Sequence, residues 1–145
     1  MTIVITSGDP AGIGPEIVQK AWICLKKNPI NEFFWIGDPL HLPDSNIPWQ
    51  RIEHPNQASK VFGDALPILI HKFAHPIKVG QHQPENAADV INVIKKAVNL
   101  VKTNKAKALC TSPINKNVLM SGATFPYTGH TEFLANLDGI DSPVM

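Results

Sequence analysis

Apolar and polar positions along the chain follow two rhythms. Thr2–Thr6 (TIVIT), Glu32–Gly37 (EFFWIG), Leu66–Phe73 and Ala106–Thr111 are short runs rich in β-branched, aromatic and aliphatic residues, and each reads as a strand. Between them, apolar residues recur at helical spacing. The clearest helix follows Gly80-Gln81-His82-Gln83: Pro84-Glu85 suits its start, and Ala87, Val90, Ile91, Ile94, Ala97, Val98 and Val101 repeat until Lys102-Thr103-Asn104-Lys105. An earlier helix opens at Pro15-Glu16, where a missing N–H is harmless and a negative charge meets the positive end of the dipole. Ile17, Ala21, Ile23, Cys24 and Leu25 form its expected apolar side, and Asn28-Pro29 ends it. Two shorter helices follow the last strand, one after Ser112–Lys116 that Gly122 ends, and one from His130 to Leu137 beyond the loop Phe125–Gly129. Residues 39–65, with prolines at 39, 43, 48 and 55, support only a short strand near Arg51-Ile52.

Strands that alternate with helices and are apolar on both faces call for a parallel sheet covered by helices, an α/β fold of three layers, α/β/α. Residues 1–138 read as the main portion of a first domain and residues 139–145 as the start of a second. Ser142-Pro143-Val144-Met145 looks like the entry to a further strand, so the expectation is a portion of something longer.

Composition narrows the partners. A formal net charge of +1 over 145 residues lacks the basic excess that nucleic acid or an anionic membrane would call for. No apolar run approaches the roughly 20 residues of a membrane span, and no basic-then-apolar leader precedes the first strand. A cytoplasmic address is expected. Cys24 (AWICL) and Cys110 (KALCT) sit in apolar company and are expected to be buried free thiols.

Candidate chemistry begins in the turn after the first strand, GDPAGIGPE (Gly8–Glu16). A P-loop needs Lys-Ser/Thr after its last glycine, whereas Gly14 is followed by Pro15-Glu16. A dinucleotide fingerprint starting at Gly12-Ile13-Gly14 would place its third glycine where Ile17 stands. Neither fits, but Asp9 stands where a ligand at the strand's C-terminal end would meet it. Further on, Thr128-Gly129-His130-Thr131-Glu132 opens a helix, and a helix start with unpaired N–H groups favours anions. By itself His130 is an ordinary lone histidine, and Thr131 an ordinary helix-start hydroxyl. Lys116 follows a strand's C-terminal end, where a lysine can reach a phosphate as a point charge; a solvated helix lysine is the equal alternative. His71 and His75 have i, i+4 spacing, but LPILIHKFAHP is not convincingly helical and Pro76 adjoins it. They make no metal pair, and His41, His54 and His82 stand alone in polar loops.

Four motifs in order carry a resemblance. GDPAGIGPE, GQHQPENAADVI (Gly80–Ile91), TSPINKNVL (Thr111–Leu119) and YTGHTEFLA (Tyr127–Ala135) resemble the 4-hydroxythreonine-4-phosphate dehydrogenase family of pyridoxal phosphate biosynthesis. The first also echoes the GDGIGPE opening of isocitrate and isopropylmalate dehydrogenases, whose fold that family shares. The resemblance implies NAD(P)-dependent oxidation of 4-hydroxythreonine 4-phosphate with decarboxylation to 3-amino-2-oxopropyl phosphate. It implies His130 and Thr131 as substrate-binding residues, with Lys116 beside them, and Asp9, Gly12, Ile13 and Gly14 on the cofactor side of the cleft. It also implies a homodimer with NAD or NADP and a divalent metal (Zn, Mg or Co), held by histidines downstream of this chain. The 145 residues alone are expected to be inactive. Rival readings are a related dehydrogenase of threonate or erythronate phosphate, a phosphate acetyltransferase of related fold, and a non-catalytic module binding a phosphorylated metabolite.

Overall fold

The computed structural model describes residues 2–44 and 46–141. The expected strand entry at Ser142–Met145 lies outside the described residues. Five strands form one sheet: β1 (Ile3–Thr6), β2 (Phe33–Gly37), β3 (Trp49–Arg51), β4 (Leu66–Ile70) and β5 (Ala108–Cys110). Their spatial order is β3-β4-β2-β1-β5 and every pairing is parallel. The helices are α1 (Gly14–Leu25), α2 (Ala58–Val61), α3 (Ala87–Lys102), α4 (Lys116–Ala123) and α5 (His130–Asp138).

The period-2 alternation of a strand divides the core between the two faces of the sheet. Phe33 and Trp35 of β2 join Val18 and Trp22 of α1, together with Phe62, Leu66 and Ile68. Phe34 and Ile36 point the other way, to Val93, Ala97 and Leu100 of α3 and to Ala58 and Val61 of α2. The expected three layers are therefore present. A third cluster, of Val90, Ile94, Val118, Leu119, Phe125 and Phe133, packs α4 and α5 onto the far side of α3.

Several local expectations are corrected. In α1 the buried face carries Val18 and Trp22, while Ile17 and Ile23 are 44% and 48% exposed. Trp22 sets that face: its indole N–H donates to the Phe62 carbonyl at 2.8 Å, and its ring fills the space over β2 and β4. Cys24, two residues on, is turned roughly 200° about the helix and is exposed, not buried. Cys110 is exposed as well. β5 lies at the sheet's edge, where Leu109 packs toward α3 while Ala108 and Cys110, in register with Ile3 and Ile5, point to the opposite face and are exposed. Gly122 does not end α4. The helix continues to Ala123 and closes on Thr124 in the left-handed region, and Gly122 is needed for contact: a Cβ there would run into the Pro84 carbonyl and lie 2.8 Å from the Ala87 Cβ. The sequence pattern missed α2, one turn of helix within the proline-rich stretch.

Candidate functional site

β1 connects to β2 on one side of the sheet, whereas β5, reached through α3, lies on the other. Strand order reverses between β1 and β5, and such a reversal opens a crevice at the strands' C-terminal ends, where α/β proteins bind ligands. The two turns that leave those ends are stitched together. Ser112 N–H donates to the Thr6 hydroxyl at 3.1 Å, and Asp9 N–H donates to the Pro113 carbonyl at 2.9 Å. Gly8 sits at φ +66°, so close to the second turn that a Cβ would lie 2.5 Å from the Pro113 oxygen and 2.8 Å from the Ser112 Cβ. A left-handed backbone pressed against another chain segment is a position only glycine fills without strain.

Above these contacts lies an open cleft of ≈ 460 Å³, lined by Asp9, Gly12 and Ile13 from the first turn and by Pro113–Asn117 from the second. Four of the residues singled out in the sequence (Asp9, Gly12, Ile13 and Lys116) thus meet in one place, although about a hundred residues separate the two turns. Gly14 does not line the cleft. It is buried beneath it as the first residue of α1, where a Cβ would strike the Ser7 carbonyl. The Asp9 carboxylate accepts the Ala11 N–H at 3.0 Å, so its orientation is set by its own turn. Ile13 is 57% exposed and offers an apolar surface beside it. Asn115 was not singled out by sequence reasoning. It lines the cleft and caps α4, its side chain accepting the Val118 N–H at 3.3 Å, which fixes where Lys116 begins the helix. An Asn directly before an apolar-periodic run is the N-cap signal that could have found it.

His130 and Thr131 open α5 and are not among the residues lining that cleft. His130 is half-buried, its Nε2 is enclosed without a hydrogen-bond partner, and burial pushes its imidazole below the ordinary value of 6.5. The chain's own Glu132 lies beside the helix start that the sequence suggested as favouring anions. That carboxylate accepts its own backbone N–H first and the Thr128 side chain next, and Lys116 and the Gly129 N–H add to the effect; together they hold it below the usual carboxylate range. Lys116 is therefore the link between the two motifs: it lines the cleft and acts electrostatically on the head of α5. Among the described residues, no group of three or more His, Cys, Asp or Glu side chains could hold a metal ion. No helix among them is long and apolar enough to cross a membrane.

Comparison with known proteins gives a consistent set of relatives. Residues 29–145 match the family model described as "Pyridoxal phosphate biosynthetic protein PdxA". The chain is 50% identical over 143 residues to the 4-hydroxythreonine-4-phosphate dehydrogenase of Ruegeria sp. (strain TM1040), covering 99% of this chain and 43% of that protein. It is 45% identical to the enzyme of the same name from Roseobacter denitrificans, covering 94% of this chain and 41% of that protein. A crystal structure of a 4-hydroxythreonine-4-phosphate dehydrogenase from Burkholderia phymatum superposes with a TM-score of 0.84 at 30% identity, over 97% of this chain and 44% of that one. The chain thus spans about two-fifths of the length of the curated relatives it matches.

Proposed function

This chain belongs to the pyridoxal phosphate biosynthetic protein PdxA family, and on that premise we propose that the whole protein, at its relatives' length, is an NAD(P)-dependent 4-hydroxythreonine-4-phosphate dehydrogenase. The C3 hydroxyl of the substrate is oxidised, with hydride passing to the nicotinamide and the hydroxyl proton released. The resulting 2-amino-3-oxo acid phosphate then loses its carboxyl group as carbon dioxide to give 3-amino-2-oxopropyl phosphate. The enzyme works in the cytoplasm as a homodimer. The observation that carries this reading is the shared cleft of Asp9, Gly12, Ile13 and Lys116 at the reversal of strand order.

In this assignment Lys116 supplies a point charge for the substrate phosphate. His130, neutral near pH 7 because of its burial, and the Thr131 hydroxyl hydrogen-bond the substrate. The glycine-rich turn takes the cofactor. Gly12 leaves its surface bare, since a Cβ there would meet nothing nearer than its own Asp9 at 3.4 Å, and the exposed Ile13 gives an apolar seat beside it. Asp9 can accept a ribose hydroxyl, and buried Gly14 shapes the turn from beneath. The nicotinamide, when bound, accepts the hydride. The divalent metal that the family resemblance implies does not fit any cluster among the described residues, so none of these roles runs through it.

The test is formation of reduced nicotinamide by the whole protein with 4-hydroxythreonine 4-phosphate, NAD or NADP and a divalent cation. Threonate and erythronate 4-phosphates are assayed in parallel, and the 145-residue chain alone is expected to give no turnover. Lys116→Ala should raise the KM for the phosphorylated substrate about tenfold or more, the scale of one charge-assisted contact. Turnover confined to the non-amino substrates, or absent with all of them, sinks the proposal.

A further inference from the structure

Between β4 and α3 the chain makes a long excursion, residues 71–86, over the C-terminal edge of the sheet. It has no strand or α-helix of its own, yet it is tied down at three points. At its base, Asp89 in the first turn of α3 uses both carboxylate oxygens. Oδ1 pairs with His71 Nε2 at 3.0 Å, and Oδ2 accepts the Ala74 N–H at 2.9 Å, with both side chains of the pair about four-fifths buried. In its middle, Gln83 folds back as a clamp. Its Oε1 accepts the Lys78 N–H at 2.6 Å and its Nε2 donates to the Pro76 carbonyl at 2.9 Å. At its tip, Gly80 at φ +77° donates its N–H to the Ala11 carbonyl at 2.8 Å.

Ala11 is the residue whose own N–H donates to the Asp9 carboxylate. The excursion is thus a strap in which hydrogen bonds, joined by short lengths of chain, form one run from Asp89 by way of Gly80 to Ala11 and Asp9. From this run we infer that Asp89 and Gln83 are positioning residues: through the strap they hold the Asp9 turn in the shape that lines the cleft. The sequence offered Gly80–Ile91 only as a recognition motif. The structure gives two of its polar side chains a mechanical task about 70 residues away from where it acts.

The inference rests on the proposed reading only in calling the turn the cofactor side of the cleft. The experiment therefore reads two things in the whole protein. Asp89→Ala and Gln83→Ala act on the strap at different points, its base and its middle, so a folding defect peculiar to one does not carry the result. In both, amide hydrogen exchange at Ala11 and Gly12 is expected to speed up about five- to tenfold, the effect of losing one or two ordinary hydrogen bonds, while exchange at α3's buried centre stays within about twofold. In both, the KM for NAD(P) is expected to rise about three- to tenfold, with kcat and the KM for the phosphorylated substrate within about twofold. Unchanged exchange at Ala11 and Gly12 in both variants overturns the strap's role. So do equal changes in kcat and both KM values. A wild-type protein without nicotinamide turnover overturns the functional reading instead, and the exchange result still judges the strap.

Discussion

Gly8→Ala tests how the two turns of the cleft are built. Alanine for glycine usually stabilises a protein by about 0.4–1 kcal/mol, because the unfolded chain loses freedom. Here two terms oppose that gain. The backbone at φ +66° costs a residue with a Cβ about 1–2 kcal/mol. The new carbon would also lie 2.5 Å from the Pro113 carbonyl oxygen and 2.8 Å from the Ser112 Cβ. The nearest neighbour is backbone, and it is fixed by the Asp9 N–H to Pro113 carbonyl bond at 2.9 Å, so it cannot swing aside. Overpacking of this kind adds about 1–3 kcal/mol. The net expectation is a loss of about 2–4 kcal/mol. Gly139→Ala is the control: it sits at φ +76° with nothing within 4 Å of the added carbon, so it carries the backbone cost alone, about 1 kcal/mol or less after the unfolded-state gain. Urea denaturation of both variants beside the wild type reads the difference. With a slope of about 2 kcal/mol per molar, Gly8→Ala should lower the midpoint by about 1–2 M and Gly139→Ala by no more than about 0.5 M. If Gly8→Ala loses no more than Gly139→Ala, the close approach of the two turns is not what glycine serves there.

Trp22→Phe should cost about 2–4 kcal/mol, since it strands the buried Phe62 carbonyl and leaves part of the indole's volume empty; a calorimetric Tm lowered by less than about 3 °C would contradict this. Stability should fall on mild acidification. Burial lowers the imidazoles of His130 and His41, the latter against the opposing pull of Asp38, so the unfolded chain binds more protons than the folded one below the ordinary value of 6.5. That stability is complete above 6.5, declines as pH falls below it, and levels off below the lowered folded values. Denaturation midpoints compared at about pH 7.5 and about pH 5.5 check the sign, and a flat or rising profile toward acid refutes it. Both thiols of the 145-residue chain should react with a disulfide reagent without unfolding, because Cys24 and Cys110 are both exposed; thiol titration showing none accessible would overturn the assigned face of α1 and the edge position of β5.

The layer architecture was legible in the sequence because period and composition are local. Phe33–Gly37 is apolar at every position, as a strand covered on both faces must be, and Ala87–Lys102 repeats at helical spacing between a proline start and a polar stop. The four motifs were legible for the same reason, as short strings with characteristic turns. What lay beyond the sequence depends on partners distant along the chain. Which side of α1 is buried turns on the Phe62 carbonyl, 40 residues from Trp22, so the sequence pattern puts Ile17 and Cys24 on the apolar side and passes over Val18 and Trp22. Gly122 reads as a stop signal until Pro84 is placed against it. The cysteine of β5 looks buried until the strand order puts it at an edge. The same holds at the cleft. Sequence alone marked Asp9, Gly12, Ile13 and Lys116 as residues of the right chemistry, and only the parallel pairing of β1 with β5 brings their turns within hydrogen-bonding reach. It could not show that Lys116 acts on Glu132 at the head of α5, or that a strap from Asp89 reaches Ala11, because both depend on where the backbone turns in space. Local strings determined the elements and their chemistry; close packing between distant segments decided which faces are covered and which residues meet.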